Sequence, residues 1–415
     1  VRLQLGGWPA LVSAIGALAV AMKLGSAWAQ PSRAAPSTES RSPPATAGGQ
    51  SQESSLTEQF AAEYGQYADT DHVFVETPSV RGTVSSPTAG WSVGGQYLVD
   101  VVSAASVDIV STASRRWQEV RQEGGVAASY QPRTFGVQAN GTVSDEPDYL
   151  SWSAGGAVTE DLMNKNVTWL LGYGHGHDIA GRTGTPFSVF SRTVDRNAFN
   201  AALTIVASPT TVASVIGDAI FEDGDPSKPY RYIPLFSPGT NVPRGAPVDL
   251  VNSLRVSARP LEQLPLSRQR YGFTMRVAHR YHLETLRLDE RLYVDSWALK
   301  STTTDARYLF DVSRRVEFGP HARLHAQTSV NFWQRAYLFG PGFDYPALRT
   351  GDRELGPLVN LTGGGTLRIG LGGDATPSSW LLAFDVNATS TQYLDDLYVT
   401  QRTSVLGGVT LETDL

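Results

Sequence analysis

A period-two alternation of apolar and polar side chains persists through segment after segment of about ten to fifteen residues, and it constrains this chain more than any other feature. In the clearest run Tyr271, Phe273, Met275 and Val277 share one face, while Thr274, Arg276, Ala278 and Arg280 share the other. The next segment sets Leu286, Leu288, Leu292 and Val294 against Arg287, Asp289, Arg291, Tyr293 and Asp295. A third sets Tyr308, Phe310 and Val312 against Arg307, Asp311 and Arg315. In a fourth, Ala322, Leu324, Ala326 and Val330 oppose Arg323, His325, Gln327 and Asn331. Successive side chains of a strand point to opposite faces, so each segment reads as a strand with one apolar and one polar face.

Further strands are expected at 58–68, 71–85, 91–103, 116–130, 133–144, 148–160, 165–178, 193–207, 211–223, 356–371, 378–391 and 396–413. With the four above they make about sixteen, within a range of 16 to 18. Pro78 cannot donate to a ladder, and the face change across it implies a bulge. Connection lengths alternate as well. Short turns are expected at 85–90, 131–132, 162–165, 208–210, 281–282, Gly319-Pro320 and 374–377, and longer loops at 105–115, 179–192, 224–267 and 339–355. Outer-membrane barrels carry short periplasmic turns and longer outer loops, so an all-β transmembrane antiparallel barrel is expected, with both termini in the periplasm. A soluble sandwich also alternates, but strand length near that of a tilted bilayer crossing and the alternating loop lengths favour the barrel.

The N-terminus agrees with this reading. Arg2, an apolar stretch over 11–22 and Ala27-Trp28-Ala29 have the form of a cleaved export signal, with a mature start near Gln30. That stretch is shorter than the roughly 20 apolar residues of a spanning helix. Residues 30–56 are rich in Pro, Ser and Thr and cannot bury enough surface to offset their ordering entropy, so they read as a periplasmic linker. The organisation expected is therefore a signal over 1–29, a linker over 30–56 and a barrel over 57–415. A formal charge of −6 argues against a nucleic-acid partner. With no Cys, disulfides, thiolate metal sites and a Cys nucleophile are excluded.

Residues 97–106, with their Asp-Val-Val-Ser-Ala-Ala-Ser run, residues 230–236, and the Arg-Leu-Tyr-Val-Asp-Ser-Trp run within 287–297 resemble a bacterial family known as a domain of unknown function. The likeness extends over most of the chain from Tyr64 onward. It implies an outer-membrane β-barrel and brings no activity with it. Some similar barrels of gliding soil bacteria, the myxobacteria, are assigned to exopolysaccharide export together with a periplasmic export protein, and the resemblance extends that expectation to this chain.

Arg276, Arg280, Arg287, Asp289, Arg291, Asp295, Arg307, Asp311, Arg315, Arg323 and His325 are the expected lumen-lining residues. Arg and carboxylate on neighbouring strands pair across the ladder. Such a wall either stiffens the barrel or offers hydrogen bonds to a hydrated solute. Tyr293, Trp297, Tyr308, Trp333 and Tyr337 read as interfacial girdle residues, with stacking on sugar rings as the alternative. The Pro-rich segment 224–267 is expected to constrict the lumen or cap the outer mouth, with a short helix over 248–256. His175-Gly176-His177-Asp178 is the only metal-like spacing; both imidazoles point the same way, but no third ligand is identifiable, so no metal or cofactor is assigned. No Ser or Asp stands with a recognisable His partner, and a non-enzyme is expected.

The function expected is thus a conduit for a hydrophilic solute, with polysaccharide export as its specific form. Outer-membrane lipid, the solute and a periplasmic polysaccharide-export protein are the expected partners. A structural or adhesive barrel with a plugged lumen, and a general porin, are the alternatives.

Overall fold

The computed structural model describes residues 56–104, 117–371 and 380–414. The expected export signal, nearly all of the linker, the 105–115 loop and the 374–377 turn lie outside these residues. Among the described residues sixteen long strands close into one antiparallel barrel. They are β1 (Thr57–Asp69), β2 (Val73–Ser86), β3 (Trp91–Ala104), β4 (Trp117–Tyr130), β5 (Phe135–Glu146), β6 (Tyr149–Leu162), β7 (Val167–Ala180), β8 (Arg192–Ser208), β9 (Thr211–Gly224), β11 (Ser267–Arg280), β12 (Glu284–Asp295), β13 (Lys300–Asp311), β14 (Val316–Gln327), β16 (Leu358–Leu371), β17 (Trp380–Tyr393) and β18 (Gln401–Asp414). Two short strands, β10 (Leu235–Phe236) and β15 (Tyr337–Leu338), and one helix, α1 (Val248–Leu254), belong to the outer connections.

Each barrel strand pairs with its neighbours in chain order, and β18 returns to β1 over a register from Gln59↔Asp414 to Asp69↔Ser404. Closure leaves no strand edge, as a sheet in hydrocarbon requires. A 14-residue strand such as β11 is about 46 Å long at ~3.3 Å per residue. Tilted by about 40° it rises roughly 35 Å, more than the ~25 Å apolar band of such barrels, so strand ends stand clear of the bilayer.

The two faces follow the alternation. On β11 and β12, Tyr271, Phe273, Met275, Val277, Leu288, Leu292 and Val294 are exposed on the outer wall. Aromatic clusters lie on that wall at two levels. Toward the outer end Tyr173, Phe199, Phe221 and Tyr271 form a chain with ring centroids 5.1, 6.0 and 6.2 Å apart. Toward the short-turn end Tyr308, Phe310 and Phe318 stack at 5.5 and 5.4 Å. Such clusters match the interfacial aromatics that membrane-spanning barrels carry.

Several expectations are corrected. Pro78 produces no bulge: the β1–β2 ladder runs through Tyr64↔Pro78 unbroken, and the β2–β3 register is the same on either side of it. A missing N–H removes a bond without inserting a residue. The register shift occurs between Val206 and Ser208 instead. Gly319-Pro320 is not a turn but lies inside β14, and the chain reverses over 312–315, where the Ser313 hydroxyl accepts from the Arg315 and Val316 amides. Val312 and Arg315 therefore leave the strand faces assigned to them. Val330 and Asn331 also fall outside β14, in an outer connection that runs from 328 to 357.

Leu288→Arg places a charge on the outer wall in the middle of β12. It should cost about 2 to 4 kcal/mol near the bilayer midplane and lower the heat-modifiable, folded fraction in outer membranes. Unchanged levels would show that this face does not meet lipid.

Candidate functional site

The lumen wall across β9 and β11–β14 is a lattice of ion pairs. Arg276 faces Asp289 directly in the β11–β12 ladder, and its Nε donates to Oδ1 at 2.9 Å. The β12–β13 ladder sets Arg287 opposite Arg307 and Asp289 opposite Asp305, like charges that would repel. Pairing along each strand relieves this: Arg287 donates to Asp289 at 2.8 Å, Arg307 to Asp305 at 3.3 Å, and His321 Nε2 lies 2.8 Å from Asp305. Arg280 reaches Asp311 at 2.8 Å.

Arg291 crosses a whole strand. Its Nη1 and Nη2 donate to Asp218 Oδ1 and Oδ2 of β9 at 2.8 and 2.9 Å, a bidentate fork that passes over β11. The crossing depends on Gly272, where a Cβ would lie 2.3 Å from Arg291 Nη2 and 2.5 Å from Asp218 Oδ2.

The remaining lumen candidates separate. Arg323 faces the lumen, exposed, with no hydrogen bond or ion pair among the described residues. His325 Nδ1 lies 2.8 Å from Thr303 Oγ1, and its Nε2 3.3 Å from Gln327 Oε1. Asp295 does not line an open lumen. Its side chain is fully buried, its Oδ1 accepts the Trp297 and Leu299 amides, and Arg268 and Tyr293 bond its other oxygen. It closes the β12–β13 turn. Arg315 is exposed in the 312–315 turn at the opposite end.

Sequence reasoning missed the outer part of this wall. Arg270 pairs with Glu222 at 2.7 Å, and Glu222 also takes Arg196 at 3.2 Å. Arg196 pairs in turn with Asp178, which Ser151 bonds at 2.7 Å. Arg121 pairs with Asp100 at 2.7 Å. Arg268 and Arg270 continue the polar face of Thr274 and Arg276 to the start of β11, a signal the alternation itself carries. At the same end Glu119, Glu146 and Asp148 bring three carboxylate atoms within 4.8 Å of one another, and each has further interactions.

Over the outer mouth the long connections fold together into a cap. β10 and β15 pair in parallel, joining 225–266 to 328–357. Phe236, Val242, Ala246, Val251 and Leu397 form one apolar cluster, and Leu264, Trp297, Leu299 and Val330 another. Of the expected girdle residues only Tyr308 sits in a girdle. Trp297 and Tyr337 are buried in the cap, Trp333 packs against its second cluster, and Tyr293 points inward from β12. Helix α1 matches the short helix expected there.

Ion pairs bind the cap to itself and to the rim. Asp352 receives Lys228 at 2.9 Å and pairs with Arg231, while Glu262 accepts Thr350 Oγ1 at 2.5 Å. Arg353 reaches Asp71 of the β1–β2 turn at 2.6 Å. Tyr230 Oη donates to Asp148 at 3.2 Å and accepts the Thr183 amide at 2.6 Å, and Arg192 donates to the Ser227 carbonyl at 2.6 Å. These contacts fix the cap from the β1–β2 turn to the β5–β6 turn. Burial alone would raise the Asp352 carboxyl, but Arg231 and Lys228 outweigh burial and hold it well below the usual carboxylate range.

Among known proteins, the model of an uncharacterised family, protein of unknown function DUF3570, matches residues 229–378. That stretch includes 230–236 and 287–297, two of the three segments that carry the resemblance seen in the sequence. No curated protein matches the chain. Among solved structures, the chain is similar to the CymD monoaromatic hydrocarbon channel, at 8% identity and a TM-score of 0.41, covering 87% of this chain and 88% of that one. It is similar to the outer membrane protein opdK from Pseudomonas aeruginosa at 6% identity and a TM-score of 0.41, covering 87% and 99%. It is also similar to a bacterial polysaccharide outer membrane secretin at 10% identity and a TM-score of 0.44, covering 87% and 99%. Among the described residues the chain is a closed, antiparallel, sixteen-stranded β-barrel.

Two outcomes are expected. Gly272→Ala should push the Arg291 guanidinium off Asp218 and lower stability by about 1.5 to 3 kcal/mol, the value of a charge-assisted bond, without preventing assembly. In an Asp218→Asn background the same change should cost far less, as a double-mutant cycle would read. The second concerns pH. Because the folded-state pKa of Asp352 is depressed, its contribution to the cap is present above the ordinary carboxylate pKa of about 4. It is lost as pH falls below that value, so protease nicking of 225–266 should rise at acid pH, and Asp352→Asn should raise it at pH 7.

Proposed function

We propose that this protein is a capped outer-membrane conduit for a hydrophilic solute, and that the solute is a secreted polysaccharide delivered by a periplasmic export partner. The observation that carries this reading is the charge balance of the lumen wall. Arg276, Arg280, Arg287, Arg291 and Arg307 each meet a carboxylate, and Arg323 alone among the expected lumen arginines of β11–β14 projects unpaired. A conduit selective for small anions needs uncompensated positive charge along its path. A neutralised wall with the amides of Gln96, Gln138 and Asn140 on its far side offers a long polymer many weak hydrogen bonds and no deep trap. Passage requires contacts of that kind, favourable enough to enter and weak enough to leave. On this reading residues 1–29 direct export and 30–56 tether the barrel on its periplasmic side.

The apolar clusters of the cap favour a second reading, a plugged barrel with a structural or adhesive role, because a plug needs such a core and a loose gate does not. A clean deletion scored with a carbohydrate-binding dye separates the two. Loss of surface polymer, with the wild-type protein located in the outer membrane, is the outcome expected. Normal polymer would remove the export reading. In planar bilayers Arg323→Glu should shift selectivity several-fold toward cations if the lumen conducts, whereas silence of the wild type and of Asp352→Asn alike would favour the plug.

A further inference from the structure

The motif His175-Gly176-His177 plays no part in the conduit. Both imidazoles project from the outer wall of β7, on the face that carries Leu171 and Tyr173. The β7–β8 ladder sets His177 opposite Asp195 and His175 opposite Asn197, and the β6–β7 ladder sets Trp152 opposite His177. Asp195 Oδ1 lies 2.7 Å from His177 Nδ1 and 4.0 Å from His175 Nε2. The third donor that the sequence does not reveal comes from the next strand.

Hydrogen bonding decides which nitrogen of His175 is available. Asn197 Oδ1 lies 3.2 Å from His175 Nδ1 and also accepts from Tyr173 Oη at 2.8 Å. An amide oxygen only accepts, so Nδ1 carries the proton and the neutral ring keeps a lone pair on Nε2. That lone pair faces a carboxylate oxygen across 4.0 Å, two acceptors with no proton between them. Metal bonds to imidazole nitrogen and carboxylate oxygen are about 2.0 to 2.2 Å, so one cation bridges the pair once the two atoms draw in to roughly 3.4 Å, the tetrahedral spacing. A metal-ligating imidazole usually donates its other N–H to a carbonyl or carboxylate, as His175 does to Asn197. The Trp152 ring, 5.5 and 6.2 Å from the two imidazole centroids, packs against both.

We propose that His175, His177 and Asp195 bind one divalent cation of the zinc class at the outer edge of the lipid-facing wall. Imidazole and carboxylate donors suit zinc and its first-row neighbours. The side chains are 34%, 25% and 50% exposed, so the ion enters from the medium and keeps water in its fourth position. As they stand the three donor atoms are too spread for one coordination sphere; rotation of the half-exposed Asp195 carboxylate and the His177 ring closes it. His177 then binds through Nδ1 as its other tautomer, the proton moving by way of solvent from Nδ1 to Nε2, so the ring stays neutral. Asp223, opposite Asp195 in the β8–β9 ladder, adds negative potential. The site stands just beyond the Tyr173–Phe199–Phe221 belt, so the ion clips β7 to β8 at headgroup level.

The test uses the detergent-solubilised full chain without a histidine tag, titrated with Zn²⁺ against a chromophoric chelator and with Co²⁺ by visible absorption. One equivalent should bind. His177→Ala and Asp195→Asn should each weaken binding by about tenfold or more, the scale on which even outer-shell partners act. His279→Ala, on the outer wall at the other end of β11, should not. Heat-modifiability checks that each barrel is intact, and Asp195→Glu, which retains a carboxylate, should keep the Co²⁺ spectrum. Binding by the His175→Ala, His177→Ala, Asp195→Asn triple variant equal to that of the parent, or no stoichiometric binding by the parent, would overturn the proposal.

Discussion

Everything in this molecule depends on the pairing of β1 with β18. Inside a bilayer no water is available to satisfy a strand edge, and each unpaired backbone group costs several kcal/mol, on the order of 2 to 7 by transfer estimates. The ladder from Gln59↔Asp414 to Asp69↔Ser404 removes that edge and joins the first described strand to the last. Closure also makes the alternation meaningful, since an open sheet has two faces but a barrel has an inside and an outside. Leu288 and Asp289 are neighbours in the chain, yet one meets lipid and the other an arginine.

Once the wall is closed, its inner face carries a second constraint. Partly desolvated charges must be paired, and the lumen meets this by reaching along strands and across them as well as directly over the ladder. Asp289 and Asp305 oppose each other and are each rescued by an arginine on their own strand. Arg291 finds Asp218 two strands away because Gly272 leaves the space between them empty. A lattice of this kind stiffens the wall and cancels its charge together, which is why the arginines of β11–β14 do not by themselves make an anion path.

The cap and the outer histidine cluster show what strand ends can carry where they rise beyond the bilayer. Water is available there, so irregular backbone is tolerated, and the connections 225–266 and 328–357 build their own apolar clusters over the mouth. Asp352, held ionised between Lys228 and Arg231, joins these two connections at one buried point. On the outside, His175 and Asp195 stand next to the aromatic cluster of Tyr173 and Phe199.

The sequence alone determined the strand number, the two faces and the side that bears long loops. Each rests on local physics: a period of two, turn chemistry, and the cost of an unpaired group in lipid. It did not reveal that Pro78 leaves the register intact, because a missing donor and an inserted residue look alike until the partner strand is known. Nor did it separate Asp295 and Trp297, buried at the rim and in the cap, from residues that line the lumen or ring the membrane, since a strand's alternation continues past the point where the strand meets a loop. Arg291 with Asp218, His177 with Asp195 and Arg231 with Asp352 are pairs distant in sequence or dependent on register, and only the closed tertiary structure decided them. Composition records which charges are present, but the free energy of a buried charge depends on which partner the fold brings within hydrogen-bonding reach.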